Sequence, residues 1–229
     1  MALVLGLGGS VLAPDEPDAA FVASVAAALG TWSDQDQLFV VVGGGRTARR
    51  AIAMARNDSV TEERLDRIGI AATRLNAQLL LAALDAAGIP CNDDVPLTCA
   101  AAMDEVTRVV VMGGTTPGHS TDYVAAQLAR AVGATRFVNA TNVDAVYKTD
   151  PRIDPDAERV ESCTYAELAA IVGPAEWKQA GQAGVVDPLA VALLQGSGIE
   201  TCVVEGHDLD NVGRALAGEA FTGTRVADL

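Results

Sequence analysis

Four short segments carry residues suited to holding a ligand, three of them a phosphate and the fourth a nucleoside. Gly8-Gly9-Ser10 closes the apolar run Ala2–Leu7, and Gly43-Gly44-Gly45 closes a second run, Gln37–Val42. Glycine lacks a Cβ, so its N–H groups can come close to a ligand and the chain can turn through positive φ. Successive N–H groups make an anion-binding concavity, and a following helix adds its positive end. Arg46, Arg49 and Arg50 follow the second loop. Arginines in a first helical turn oppose the helix dipole, and a bound anion would offset that opposition. The third segment is Gly113-Gly114-Thr115-Thr116-Pro117-Gly118-His119-Ser120-Thr121-Asp122. It combines glycines, hydroxyls, a rigid proline and an N-cap for the helix behind it. His119 is a lone loop histidine, for which a hydrogen-bonding or packing role outweighs general-base catalysis. The fourth segment, residues 141–151, offers hydroxyl, amide, carboxylate, aromatic ring and cation in close succession. That set suits a nucleoside, with Tyr147 beside a base; the other reading is an ordinary polar turn ended by Pro151. The Gly-Lys-Ser/Thr P-loop and GxGxxG are both absent, which disfavours a P-loop NTPase or a dinucleotide-binding protein.

These segments need a scaffold that brings them together. Apolar runs at 2–7, 37–42, 108–112, 136–140 and 201–205 read as strands. Helical spacing occupies 18–29, 46–55, 67–86, 122–131, 165–172, 188–195 and 209–216. Continuous apolar strands alternating with helices imply a mostly parallel sheet covered on both faces. Such sheets bind ligands at the carboxyl ends of their strands, where this chain keeps its glycines. Segments 88–104 and 173–186 read as irregular, the second as a candidate flap. No linker, repeat or low-complexity stretch divides residues 1–229, which read as one domain.

Composition narrows the function classes. Half of the 229 residues are apolar, ample for a buried core, and the net charge is −14. A chain that acidic is unsuited to non-specific nucleic-acid binding, which needs surplus Lys and Arg. Its basic residues are arginines except Lys148 and Lys178; a salt-adapted cytoplasm and a GC-rich genome both select such a balance. The N-terminus has neither the basic stretch nor the cleavage site of a signal peptide. No apolar run approaches the ~20 residues of a membrane span. Cys91, Cys99, Cys163 and Cys202 form no CxxC pair and there are two histidines, a pattern of reduced thiols in a cytosolic protein rather than a zinc site.

Several stretches, taken in order, resemble the archaeal type of uridylate kinase in the amino acid kinase superfamily. They are Gly8-Gly9-Ser10-Val11-Leu12, residues 40–45 with Ala48-Arg49, and Ile68-Gly69-Ile70 with Thr73-Arg74-Leu75-Asn76-Ala77. Residues 112–122, residues 141–151 and Val186-Asp187-Pro188-Leu189-Ala190 complete the set. The resemblance implies a three-layer αβα sandwich with a mostly parallel central sheet. It implies ATP and UMP in neighbouring halves of one cleft, UMP mainly in the N-terminal half and ATP mainly in the C-terminal half. The implied reaction, in pyrimidine nucleotide biosynthesis, moves the ATP γ-phosphoryl group to UMP, giving UDP and ADP, with Mg²⁺ carried by ATP rather than by protein ligands. By motif, Gly8, Gly9, Ser10, Gly45, Arg49, Thr141, Asn142, Tyr147 and Asp150 fall to ATP. Gly44, Asp66, Gly114, Thr115, Thr116, Pro117, Gly118, His119 and Ser120 fall to UMP, with Asp66 on the ribose. Asp187 and Arg49 are the implied catalytic residues: Asp187 orients groups around the transferred phosphoryl, and Arg49 neutralises phosphate charge. The resemblance also implies a cytoplasmic homo-oligomer, a hexamer built as a trimer of dimers.

The chain departs from that pattern. The usual Val-Asp-Gly-Val turn reads Val143-Asp144-Ala145-Val146. If that glycine needs positive φ, Ala145 costs about 1 kcal/mol. A lysine common before the first glycine pair is missing from Val4-Leu5-Gly6-Leu7, and residues 179–184 replace a Ser-rich stretch. The cations left nearby are Arg46, Arg49, Arg74, Lys148 and Lys178. The departures motivate a rival reading, a non-catalytic nucleotide- or oxyanion-binding storage protein on the same fold. Another is a different small-molecule kinase of the superfamily, acting on an amino acid, a carbamate or isopentenyl phosphate. Isopentenyl phosphate kinases carry a histidine in the loop after the second strand, and Gly45-Arg46-Thr47-Ala48-Arg49 has none.

Overall fold

The computed structural model describes residues 2–14, 18–149, 151, 153–176, 180–181 and 185–228. The chain opens with β1 (Ala2–Leu7), the single turn α1 (Gly9–Leu12), α2 (Ala19–Trp32), β2 (Gln37–Val42) and α3 (Gly45–Ala55). It continues through α4 (Glu62–Ala86), α5 (Cys99–Met103), β3 (Val109–Met112), α6 (Thr121–Ala131) and β4 (Arg136–Thr141). The antiparallel pair β5 (Val146–Tyr147) and β6 (Arg159–Val160) precedes β7 (Ser162–Cys163), α7 (Tyr165–Val172) and α8 (Pro188–Leu194). The chain ends in β8 (Glu200–Glu205), α9 (Leu209–Ala217) and β9 (Thr224–Val226).

The central sheet runs β3-β2-β1-β4-β8-β9-β7. Its first five strands are parallel, β9 is antiparallel to β8, and β7 is parallel to β9. Successive strand residues point to opposite faces. Leu3, Leu5 and Leu7 of β1 pack with Leu29 of α2, Leu80 of α4 and Leu216 of α9. Val4 joins Leu128 of α6, Leu168 of α7 and Val191 of α8 on the other face. The result is the three-layer αβα sandwich that the resemblance implies. Toward the amino ends of the strands, Glu200 binds Arg136 at 2.7 Å and also Arg225, and Arg136 donates to the Leu216 carbonyl at 2.9 Å. Burial alone would push the Glu200 carboxyl up, but the two guanidiniums outweigh it and hold it below its ordinary range.

The structure corrects several boundaries. α2 continues through Gly30, where the sequence reads a stop, to Trp32; a Cβ at Gly30 would lie 2.8 Å from the Ile89 Cδ1. That glycine serves close packing. α4 begins five residues before the periodic pattern, with the Thr61 side chain accepting from the Arg64 N–H and Glu62 and Glu63 in the first turn, where acids suit the dipole. Segment 88–104 contains α5, capped by Thr98; five residues are too few to show a period. Strands β5, β6, β7 and β9, of two or three residues each, escape the sequence reading for the same reason.

Candidate functional site

Because β3, β2, β1 and β4 are adjacent and parallel, their carboxyl ends share one edge of the sheet. The loops that follow them stand side by side: residues 113–120, 43–45, 8–10 and 141–145. The winding reverses at β1, with β2 on one side and β4 on the other. A crevice at such a reversal is where parallel sheets bind ligands.

The two middle loops interlock. A Cβ on Gly9 would overlap the Gly43 carbonyl oxygen and the Gly45 nitrogen, and a Cβ on Gly45, whose φ is +53°, would strike the Gly9 backbone. These glycines are therefore required for the two backbones to approach each other, before any ligand is considered. The buried Asn76 donates its Nδ2 to the Gly43 carbonyl at 2.8 Å and the Gly44 carbonyl at 3.3 Å, tying the second loop to α4. Arg49 Nη2 donates to Ser10 Oγ at 3.0 Å, laying α3 across the first loop. Gly8, Gly9, Ser10, Gly44, Gly45 and Arg49 thus converge at one place on the sheet edge.

The third loop is held by α4. Thr73 Oγ1 donates to the Ile70 carbonyl at 2.6 Å and accepts from the Gly114 N–H at 2.7 Å. Arg74 Nε donates to the Gly114 carbonyl at 3.1 Å. Asp66 Oδ2 accepts from the N–H of Gly118 at 2.6 Å, and Gly118 sits at φ +86°. Burial pushes the Asp66 carboxyl up, partly opposed by that hydrogen bond. Thr115, Thr116 and Pro117 span the stretch between these anchors. His119 lies against the Tyr123 ring, centroids 4.4 Å apart, and its buried Nδ1 has no protein partner. Ser120 caps α6, accepting from the Tyr123 N–H at 3.1 Å.

Two carboxylates meet behind this loop. Asp187 caps α8, accepting from the Leu189 N–H at 2.8 Å, and its Oδ2 accepts from the Ser120 hydroxyl. Asp122, in the first turn of α6, accepts from the Asp187 backbone N–H and from the Asn139 side chain. Burial, and then the neighbouring Asp187 charge, push the Asp122 carboxyl up to about 7. Sequence reasoning missed Asp122 and Asn139 as site residues. An acid in a first helical turn reads as a dipole partner, and nothing local reports that Asn139 of β4 and Asp187 of α8 will close around it.

In the fourth loop, Tyr147 Oη donates to Asp144 at 3.0 Å, and Arg159 pairs with the same carboxylate at 3.3 Å. Thr141 Oγ1 donates to Asn142 Oδ1 at 3.5 Å. Ala145 is fully buried, and among the described residues only glycines have positive φ. The strain expected of Ala145 is therefore absent. Lys148 is engaged by Glu158 at 2.8 Å. Asp150 and Lys178 lie outside the described residues. Among the described residues no three His, Cys, Asp or Glu side chains converge to hold a metal ion.

A parallel sheet that brings two interlocked glycine loops, an arginine and a carboxylate-capped helix to one crevice is the framework of a phosphate-handling α/β protein. The chain belongs to the amino acid kinase family, whose model matches residues 1–205. Over 226 residues it is 43% identical to the uridylate kinase of Methanospirillum hungatei, covering 98% of this chain and 94% of that one. The crystal structure of uridylate kinase from Archaeoglobus fulgidus matches with a TM-score of 0.86 at 41% identity, over 99% of this chain and 100% of that one. A solved isopentenyl phosphate kinase matches with a TM-score of 0.70 at 21% identity, over 98% and 100%, a likeness of fold alone. Among the described residues no helix is long and apolar enough to cross a membrane.

Proposed function

We propose that the chain is a UMP kinase, transferring the γ-phosphoryl group of ATP to UMP to give ADP and UDP. The observation that carries the reading is the order of loops along the sheet edge. The residues assigned to UMP, Gly44, Asp66 and the loop Gly114 to Ser120, lie toward β2 and β3. Most of those assigned to ATP lie toward β1 and β4, and Gly44 and Gly45 stand at the join. Donor and acceptor would therefore meet over the interlocked loops, within one domain.

A UMP phosphate oxygen attacks the γ-phosphorus, and the bond to the β–γ bridging oxygen breaks as ADP leaves. That nucleophile is already an oxyanion, so positioning and charge neutralisation matter more than a strong base. Arg49 and the glycine-loop N–H groups supply neutralisation, and Asp187 orients the site through Ser120. Mg²⁺ bound to the ATP phosphates would supply further charge neutralisation. The protein would act in the cytoplasm as a homo-oligomer, a hexamer made as a trimer of dimers. Leu75 and Leu79, one turn apart on α4, are 54% and 52% exposed, and burial between copies would remove that apolar surface from water.

ADP release from MgATP in the presence of UMP, CMP, isopentenyl phosphate or no acceptor tests the activity. Release driven by UMP is the expected outcome. UMP binding without turnover would favour the storage-protein reading, and turnover of isopentenyl phosphate would favour another kinase of the family. Asp66 gives a sharper expectation. Asp66→Ala removes both a ribose contact and the acceptor that pins Gly118, so the KM for UMP should rise about 30-fold, the scale of losing a charge-assisted hydrogen bond. The KM for ATP should move little. Asp66→Asn keeps an acceptor oxygen for the Gly118 N–H and should do much less harm. Equal effects on both substrates would remove Asp66 from the acceptor site.

A further inference from the structure

Ala180 belongs to an apolar cluster that is otherwise built by α3, α4 and the turn between them. Ala48 and Ile52 of α3 and Leu65 and Ala72 of α4 surround it, and it is 4% exposed. Its N–H donates to Glu62 Oε2 at 2.9 Å, across 118 positions of sequence. Its carbonyl accepts from Arg56 Nη2 at 3.0 Å. Arg56 and Glu62 are themselves paired through both guanidinium Nη atoms. One ion pair therefore satisfies both backbone groups of a single residue, while the cluster takes its methyl. Gly181, at φ +80°, then turns the chain beside Ile52.

We propose that the Arg56–Glu62 pair is a clamp for the backbone at Ala180 and that Arg56 and Glu62 are, through it, positioning residues for phosphoryl transfer. Both ends of the connection lead toward the site. Seven positions after Ala180 comes Asp187, which accepts from Ser120. On α4, Glu62 lies one turn before Asp66, close enough that its charge adds to the burial that pushes the Asp66 carboxyl up. The clamp thus joins the acceptor side of the crevice to the segment that delivers Asp187. An exposed ion pair by itself contributes little. A buried N–H and carbonyl that lose their partners cost far more, so the pair earns its effect through the backbone it holds.

Endoproteinase Lys-C reads the clamp directly. The sequence offers it Lys148 and Lys178, and Lys178 lies two residues before Ala180. In Arg56→Gln and in Glu62→Gln, cleavage after Lys178 should accelerate about fivefold or more, with cleavage after Lys148 unchanged. The kcat should fall by a similar factor and the KM for ATP should hold. The double variant Arg56→Glu/Glu62→Arg discriminates clamp from simple tie. It keeps an ion pair between the helices but sets a carboxylate against the Ala180 carbonyl and a guanidinium against its N–H. It should be cut as fast as the single variants. Ala180→Leu, which overfills the cluster and leaves the pair intact, should be cut faster as well. Native protection in the double variant would overturn the proposal, leaving the pair as a tie between α3 and α4. So would unchanged cleavage in the single variants. The kinetic arm rests on the proposed reaction, whereas the protease arm does not, so a chain that fails to turn over UMP would still report on the clamp.

Discussion

Asp122→Asn is expected to melt higher than the parent chain at pH 8 and at about the same temperature at pH 4. The Asp122 carboxyl ionises only at about 7 in the folded protein, because burial and the adjacent Asp187 charge disfavour its anion. In the unfolded chain it ionises near 3.9, the ordinary value for Asp. Between those two values the folded state keeps a proton that the unfolded state has released. Stability therefore falls as pH rises through the window and reaches its lowest contribution above about 7. Each tenfold change in proton affinity is worth about 1.4 kcal/mol. With solvent shielding part of the carboxyl, the net cost at pH 8 is about 2 kcal/mol. An asparagine carries no such cost, can still accept one hydrogen bond, and can donate to the Asp187 carboxylate. For a chain of this size the gain amounts to about 5 °C. Thermal melts at the two pH values check it, and an equal gain at both would assign the effect to packing rather than charge. The same titration bears on function. As pH passes about 7 the crevice acquires a second negative charge beside Asp187, so UMP should bind more weakly. In Asp122→Asn that limb should vanish. The UMP phosphate titrates identically in both proteins, so the difference between their profiles isolates Asp122.

What the sequence discloses here follows from the range of the interactions involved. The runs Ala2–Leu7 and Tyr165–Val172 coincide with β1 and α7 to the residue, because continuous apolar strands and a capping box are written locally. The four ligand-suited segments are legible for the same reason, each being a strand followed by small or hydroxylated residues. Their order along the sheet is a property of topology, and the pairing of β1 with β4 lies beyond any local pattern. The carboxylate pair is further out of reach. Ser120 and Asp187 meet across 67 positions, and Asp122 becomes an unusually weak acid only when folding buries it beside the Asp187 charge. The glycines mix the two cases. Gly118 and Gly45 announce a turn, and both have positive φ. Gly9 and Gly43 read as ligand-facing glycines, yet what excludes a side chain from them is another stretch of backbone.

Gly9→Ala tests that distinction and should be among the most damaging single methyls in the crevice. The added carbon would overlap a carbonyl oxygen of Gly43 and the nitrogen of Gly45. Both belong to the main chain, so neither can swing aside as a side chain would. Relief requires the first and second loops to separate. Overpacking of this kind costs about 3 kcal/mol, and a shift of about 1 Å in groups that position phosphates costs about 10²-fold in turnover. Two neighbours calibrate the result. Gly8→Ala would place its carbon 3.1 Å from the Ala140 carbonyl oxygen, a crowding that a few tenths of an ångström relieves, and should be far milder. Gly118→Ala meets open space but must hold φ +86°, at a cost of roughly 1 kcal/mol. Urea midpoints and kcat should therefore rank Gly9→Ala as much the most damaging of the three. If Gly9→Ala matched Gly118→Ala in both measurements, the two loops could part without cost, and the spacing of donor and acceptor would have to be fixed elsewhere. If the expected ranking holds, the glycines set the width of the crevice by backbone contact. The N–H groups that would face phosphate are then in place before any nucleotide arrives, which is the preorganisation that charge neutralisation in phosphoryl transfer depends on.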